Sequence, residues 1–416
     1  MSLYFRSQIN VSNADDKVNS YYITQGENRW LSGDYNITYL NTSTKNDAII
    51  VGDNIFDISP LNFIDATKFN SPVVIGNNIT GNISFNNCTN LNSSVTIGDN
   101  VSVVSFYNCT NLDSPIIIGS NVTNCSFSHC RKFNSPITFN GNNILNCVAM
   151  FYNCNNFNQP ITIPNGAIDC ENMFHRCFSF NQPITIPDSV KYCYHMFLFC
   201  TNFNQAVNLS DNTIGVSNMF RSCTNFNSPV SLGNNINLCN HMFYACSNFN
   251  QPVVIPDSVS ECMHMFHHCS NLNSQITFGN NVRDCTYMFG YCSNYKLPII
   301  TSDSVIYCNY MFESCNSNLI IFGNNANTFH YTFANYKCNV DIYINYTGNS
   351  LNCYSIFNKT DNNVVKNLHF NNKWTDYFKY STYDYIYGYN SLTWTDMTNG
   401  FYNAAYNIYC YNNYVV

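Results

Sequence analysis

Charge is what this sequence has least of. Of 416 residues only 10% are charged, with 17 Lys+Arg against 24 Asp+Glu, less than half the usual share. A net charge of −7 on so few basic residues leaves no electrostatic footprint for nucleic acid. Long apolar runs are missing as well: none approaches the 18 residues a membrane-spanning helix needs. The opening stretch, MSLYFRSQINVSNADDK, has no apolar core of the kind a secretory signal carries. Glycine (17) and tryptophan (3) are sparse. Disorder is excluded for most of the chain, because 16% of its residues are aromatic and disordered chains are poor in them.

Polarity comes from asparagine instead, 75 residues of it, beside 22 Cys, 31 Tyr and 32 Phe. So many cysteines without a secretory route is a contradiction, since disulfide frameworks belong to small secreted chains. The cysteine positions resolve it. One series runs Cys88, Cys109, Cys130, Cys154, Cys177, Cys200, Cys223, Cys246, Cys269, Cys292, Cys315, in steps of 21, 21 and 24 and then a constant 23. A second sits seven residues earlier: Cys147, Cys170, Cys193, Cys239, Cys262, Cys285, Cys308. A fixed period of this size is the mark of a solenoid.

One unit shows the logic. Cys170, Met173, Phe174 and Cys177 carry the i, i+3, i+4, i+7 stripe expected of a short helix with one buried face. Phe180 marks a bend. Ile184 and Ile186 alternate with Thr185, the period of a strand, and Pro187-Asp188-Ser189 is turn chemistry that suits a cap on the following helix. Neither element buries its apolar side alone, so coils must stack. The expected fold is an α/β repeat solenoid, leucine-rich-repeat-like, with about 14 coils of 21–24 residues, a parallel sheet on one side and short helices on the other. Over 69–130 the period is 21, and the shortened arm should be more extended. Ile49-Ile50-Val51 reads as the first strand. The chain divides into an N-terminal cap or attachment segment (1–47), the solenoid (48–370) and a Tyr/Trp-rich C-terminal cap or interface segment (371–416).

These residues resemble the BspA-type leucine-rich repeat family. The stretches ITIPDSV at 184–190 and VVIPDSV at 253–259 match its Ile-x-Ile-Pro-x-Ser-Val run. Met196-Phe197 and Met265-Phe266 fill its Ala-Phe slot, Cys200 and Cys269 its Cys slot, and Phe203 and Leu272 its Leu slot. The likeness covers about residues 48–370. Met in place of Ala, a second Cys and the crowd of Asn set this chain apart as a Cys- and Asn-rich variant, similar in composition to repeat proteins of AT-rich gut phages. The resemblance implies a non-enzymatic binding or adhesion protein and fixes no ligand.

The Cys ladder (Cys154, Cys177, Cys200, Cys223, Cys246, Cys269, Cys292, Cys315) reads as reduced thiols used as small core residues. Spacing also permits disulfides between neighbouring coils. Zinc is disfavoured, because a ladder presents a line of ligands where a site needs convergence. An Asn ladder (Asn70, Asn92, Asn134, Asn158, Asn181, Asn204, Asn227, Asn250, Asn273) follows each bend, where an inward amide would satisfy backbone groups. His195, His241 and His264 share a slot that looks solvated, with no carboxylate repeating beside it. No catalytic or metal motif is present, and no cofactor is expected.

The candidate ligand or interface residues lie near the C-terminus: Trp374, Tyr377, Tyr380, Tyr383, Tyr385, Tyr387, Tyr389 and Trp394. Alternating Tyr suits sugar stacking and protein interfaces alike. The reading that unites these features is a non-enzymatic phage virion component (fibre, spike or tail-associated). It would assemble in host cytoplasm with its thiols free, recognise a host-surface glycan or protein, and associate with other virion proteins or with itself. The rival is a bacterial or protist repeat scaffold or surface protein with protein partners. A glycan depolymerase ranks third, since nothing singles out a pair of carboxylates.

Overall fold

The computed structural model describes residues 61–346 without a break, together with 20–23, 35–36, 48–51, 352, 356–359, 366–370 and 408–410. The chain forms two compact units, 1–203 and 204–416. Both are parallel β-solenoids, with about 13 turns in all.

In the first unit one parallel sheet joins Ser20–Ile23, Ala48–Val51, Val73–Ile75, Val95–Thr96, Ile116–Ile118 and Ile137–Phe139 in chain order. The partners are equivalent residues one turn apart: Val73 pairs Val95, Val95 pairs Ile116, and Ile116 pairs Ile137. Burial alternates in Val73–Ile75 and Ile116–Ile118: the outer residues are buried and Val74 and Ile117 are exposed. A second sheet on the arm joins Tyr35–Asn36, Leu61–Asn62, Gly81–Ser84, Val101–Ser105 and Asn124–Ser126. The arm is therefore extended where the repeat shortens to 21. The parallel ladder also begins earlier than expected, because Ser20–Ile23 pairs with Ala48–Val51. In the second unit the strand side carries Val207–Asn208, Val230–Ser231, Val253–Val254, Ile276–Thr277 and Ile299–Ile300, and closes with Leu319–Phe322, Val340–Ile344, Lys366–Phe370 and Ile408–Cys410.

The expected short helices are absent: among the described residues every regular element is a strand. The arm from Cys170 to Cys177 is instead two consecutive β-turns, closed by Met173 N–H to Cys170 C=O (3.2 Å) and Cys177 N–H to Phe174 C=O (2.9 Å). The third residue of each, Asn172 (φ 55°) and Arg176 (φ 63°), is left-handed, the pattern of a type II turn. Four other N–H groups point along the solenoid: Cys170, Asn172, Phe174 and Arg176 donate to Tyr192, Tyr194, Met196 and Leu198 of the next turn, at 2.8–2.9 Å. A helix would spend those donors inside its own segment. Two four-residue turns bring positions 1, 4, 5 and 8 inward, the same positions a helical stripe would bury. Spacing therefore cannot separate the two.

Turn residues serve neighbouring coils in place of helix caps. Ser189 and Ser258 donate to the carbonyls of Ala167 and Ile236 in the turn before, at 2.7 and 2.6 Å. Asp257 Oδ1 accepts the Asn280 N–H of the turn after, at 2.8 Å. Coils approach so closely at this corner that a Cβ on Gly279 would stand 2.3 Å from the Pro256 carbonyl oxygen.

Phenylalanine fills the core in columns. Phe63, Phe85, Phe106, Phe127, Phe151, Phe174 and Phe197 stack turn on turn at centroid spacings from 4.5 to 5.7 Å. The bend residues Phe157, Phe180 and Phe203 interleave, each 4.2 Å from its arm partner. The second unit repeats this with Phe220, Phe243, Phe266, Phe289, Phe312 and Phe333 at 5.5–5.7 Å. Each stacked pair is worth about 0.5–1.5 kcal/mol beyond the area it buries.

Among the described residues, left-handed positions other than glycine recur turn after turn and none is β-branched, since branching makes positive φ most costly. Ala245 (φ 57°) carries that cost with little packing in return. Replacing Ala245 by Gly should stabilise the fold by about 0.5–1 kcal/mol, read as a rise in the urea midpoint at unchanged slope, whereas Ala245→Val should lower it.

Candidate functional site

All eight cysteines of the first series from Cys154 to Cys315 are buried and unbridged. They do more than fill space. Cys154, Cys177 and Cys200 donate their S–H to the carbonyls of Phe127, Phe151 and Phe174 in the turn before, at 2.9–3.0 Å. Cys246, Cys269 and Cys292 do the same to Phe220, Phe243 and Phe266 at 2.9–3.1 Å. Each of these carbonyls also accepts the N–H of the Cys three residues on in its own turn. A buried C=O has two lone pairs to satisfy, and the thiol supplies the second donor while fitting like a small apolar group. Burial pushes these thiols up in pKa, which keeps the proton they donate. Replacing Cys177 by Ala removes that bond and opens a small void, so it should cost about 1–2 kcal/mol, measured by denaturant unfolding.

The Asn ladder also bonds between turns, though not from the interior. Asn158 N–H donates to Asn134 Oδ1 and Asn181 N–H to Asn158 Oδ1, both at 2.8 Å, and Asn250 and Asn273 repeat it. These side chains are half-buried or exposed, so the expected inward amide is corrected to a surface acceptor. Asp113 completes the column between Asn92 and Asn134. Sequence reading missed it because only the acceptor oxygen matters there, and Asp offers the same one.

The proposed ligand residues Trp374, Tyr377, Tyr380, Tyr383, Tyr385, Tyr387, Tyr389 and Trp394 lie outside the described residues. What the structure does assemble is a different aromatic array, on the arm of the second unit. The left-handed slot of the first turn holds His241, His264, Tyr287, Tyr310 and Tyr331 (φ 52–58°). Because the slot repeats, their rings stack directly, with centroids 4.6, 4.6, 4.4 and 4.8 Å apart and planes within 13°. The column is half-buried, not the solvated slot the sequence suggested. The signal was present in part: His241 and His264 are one period apart, but Tyr287 and Tyr310 share the slot without sharing the residue type.

A second row lies beside it. Arg221 sits 4.7 Å over the Tyr244 ring, and Tyr244 leads to His267, 5.1 Å away. His268 stacks on Tyr291 at 4.6 Å, and the Tyr291 hydroxyl donates to Glu313 Oε1 at 3.0 Å. His267 is 7% exposed, and its Nε2 has no hydrogen-bond partner. A Cβ on Gly290 would meet this ring at 2.4 Å, so glycine there is what admits the imidazole. Among the described residues no three His, Cys, Asp or Glu side chains converge as metal ligands. No helix among them is long and apolar enough to cross a membrane.

Matches to one family model, described as Mycoplasma protein of unknown function, DUF285, fall at residues 78–186, 121–232, 168–278, 214–322 and 261–375. Together they take in more than half of the chain, which belongs to this family. No curated protein matches the sequence significantly. Among solved structures, a leucine-rich repeat protein from Bacteroides ovatus is 17% identical, with 79% of this chain and 88% of that one covered and a TM-score of 0.49. A leucine-rich cell surface protein from Faecalibacterium prausnitzii is also 17% identical, over 74% and 91%, with a TM-score of 0.37. The pneumococcal vaccine antigen PcpA is 11% identical, over 78% and 80%, with a TM-score of 0.36.

The histidine cluster makes stability depend on pH. Burial foremost, then His264 and Arg221, lowers His241 to about 4. Burial, then His268, His264 and His241, lowers His267 to about 3. His264 and His268 are lowered too, mainly by burial, against small opposing pulls from Asp284 and Glu313. Unfolded histidines take up protons near pH 6.5, so between there and about 4 the unfolded chain binds more protons than the folded one. Stability should then fall as pH drops through that window. The urea midpoint at pH 5 is expected below that at pH 7.5, and the double replacement His241→Gln, His267→Gln should flatten the difference.

Proposed function

We propose that this chain is a non-enzymatic binding protein whose solenoid displays side chains to an external ligand. The observation that carries the reading is the stacked His/Tyr array, which leaves polar ring atoms at the surface of a rigid ladder. Three turn carboxylates are given over to the ladder: Asp211, Asp257 and Asp303 accept backbone N–H groups of the following turn. That supports a binder over a depolymerase.

In finer terms, the reading is a phage virion component, a fibre, spike or tail-associated protein, that recognises a host-surface ligand, foremost a glycan. Buried thiols that donate hydrogen bonds favour folding in a reducing compartment, as in host cytoplasm. A surface of Asn, Ser and Thr with little charge suits contact with neutral hydroxyls. A second reading, a bacterial repeat scaffold or surface protein with protein partners, draws on the strand face, where Val254 and Ile300 are 68% and 61% exposed. The family description, which names Mycoplasma, also weighs on that side. A glycan array and host-cell binding with the purified chain, with antibody labelling of phage particles, test the two. Glycan-dependent binding with particle labelling is expected. Binding confined to host protein, without sugar signal or particle labelling, would overturn the virion reading in favour of the scaffold.

A further inference from the structure

The stack on the second unit has a property that narrows its ligand. In His241, His264, Tyr287, Tyr310 and Tyr331 the ring faces are turned toward one another, 4.4–4.8 Å apart between centroids. An aromatic platform for sugars offers a bare face; here the inner rings have both faces covered. What remains for a ligand is ring edges, one per turn in a row along the unit: the phenol oxygens of Tyr287 and Tyr310, which also bond each other, and the imidazole edges, of which His264 Nδ1 already faces His267 Nδ1. Such a row donates and accepts hydrogen bonds at a spacing of the order of one pyranose residue in an extended chain.

Two further features bear on the ligand. The row carries little charge: burial holds its imidazoles in the neutral form, and Arg221 is already engaged by the Tyr244 ring and by Asn218 Oδ1. A polyanion would find no cationic rail. Beside the row, His267 Nε2 is a buried polar atom with no partner, ringed by His264, Tyr287, Tyr291 and His268 at centroid distances of 4.4–5.4 Å. The atom is sealed from solvent, so this imidazole buttresses the row from beneath and makes no contact with a ligand. Tyr291, 38% exposed, is tied by its hydroxyl to Glu313.

We propose that this arm face of the second unit binds a neutral polysaccharide laid along the column. Tyr287 and Tyr310 would hydrogen-bond its hydroxyls through their phenol edges. The proposal rests on the glycan-binding reading above and gives it a place and a chemistry.

Affinity electrophoresis of the full chain through gels containing dextran, mannan or a mixed-linkage β-glucan tests it, with heparin as the anionic comparison. Retardation by at least one neutral polymer and none by heparin is expected. The double variant Tyr287→Phe, Tyr310→Phe keeps the stack and removes only the hydroxyls, so it should weaken retardation about tenfold. Tyr287→Gly with Tyr310→Gly suits their left-handed backbone and should abolish it with the fold intact by circular dichroism. Val254→Lys with Ile300→Lys, on the strand face, should leave it unchanged. Retardation that survives the Phe pair, or is lost with the strand-face pair, would overturn this site and leave the glycan reading standing. Failure of the unaltered chain to bind any neutral polymer, or binding to heparin alone, would overturn both.

Discussion

Everything in this structure depends on one choice by the backbone of the arm. Alternate N–H groups between Cys170 and Arg176 leave their own segment and bond to the following turn, and the arm from Cys262 to His268 does likewise at 2.8–3.0 Å. A helix is satisfied by itself, whereas an arm of this kind is satisfied only by a neighbour. Side chains then reinforce the same direction. The Cys thiol reaches back to a Phe carbonyl, the Ser hydroxyl reaches back across the corner, and Asn and Asp oxygens receive N–H groups from ahead. Stability is therefore a sum of contacts between adjacent turns, as in other one-dimensional repeat folds.

That choice also decides what the sequence revealed. The period, the inward identity of Cys, Met and Phe, and the parallel pairing of Val73, Val95 and Ile116 follow from spacing and alternation. The conformation of the arm does not, because two consecutive turns and one short helix bury the same four positions out of eight. A subtler signal does separate them. Among the described residues the slots of Asn172 and Arg176 hold Asn, Asp, His, Ser, Ala, Tyr, Phe, Arg or Lys in turn after turn and never Val, Ile or Thr, which is how left-handed positions reject branched residues. The thiol bond was hidden for a different reason. Composition shows that Cys is present, but only geometry shows that a carbonyl with a spare lone pair lies beneath it. The Tyr-rich stretch near the C-terminus drew attention by density, while the array the structure assembles is spread one ring per period across some 90 residues.

Chemistry and fold are divided cleanly in the arm of the second unit. Inward positions make the Phe columns and the thiol bonds, and the left-handed slots point the other way and hold His241, His264, Tyr287 and Tyr310. The slots lie at a constant spacing because the ladder beneath them does. A surface built like this is stiff along its length, and its groups are already in place, the arrangement in which binding costs least in ordering.

The left-handed slots have one more consequence. Their backbone angle is imposed by bonds from neighbouring turns, and the side chain has almost no part in setting it: Arg176, Phe199, Ser222, Ala245, His268, Tyr291 and Ser314 occupy successive equivalents of one slot with φ between 55° and 63°. Among residues without a branched Cβ, identity there is thus only weakly tied to whether the chain folds. Such a column behaves like type set in a fixed frame. Its letters are exchangeable one at a time among unbranched residues, each change rewrites the chemistry of the surface, and the frame that holds the line is left nearly as it was.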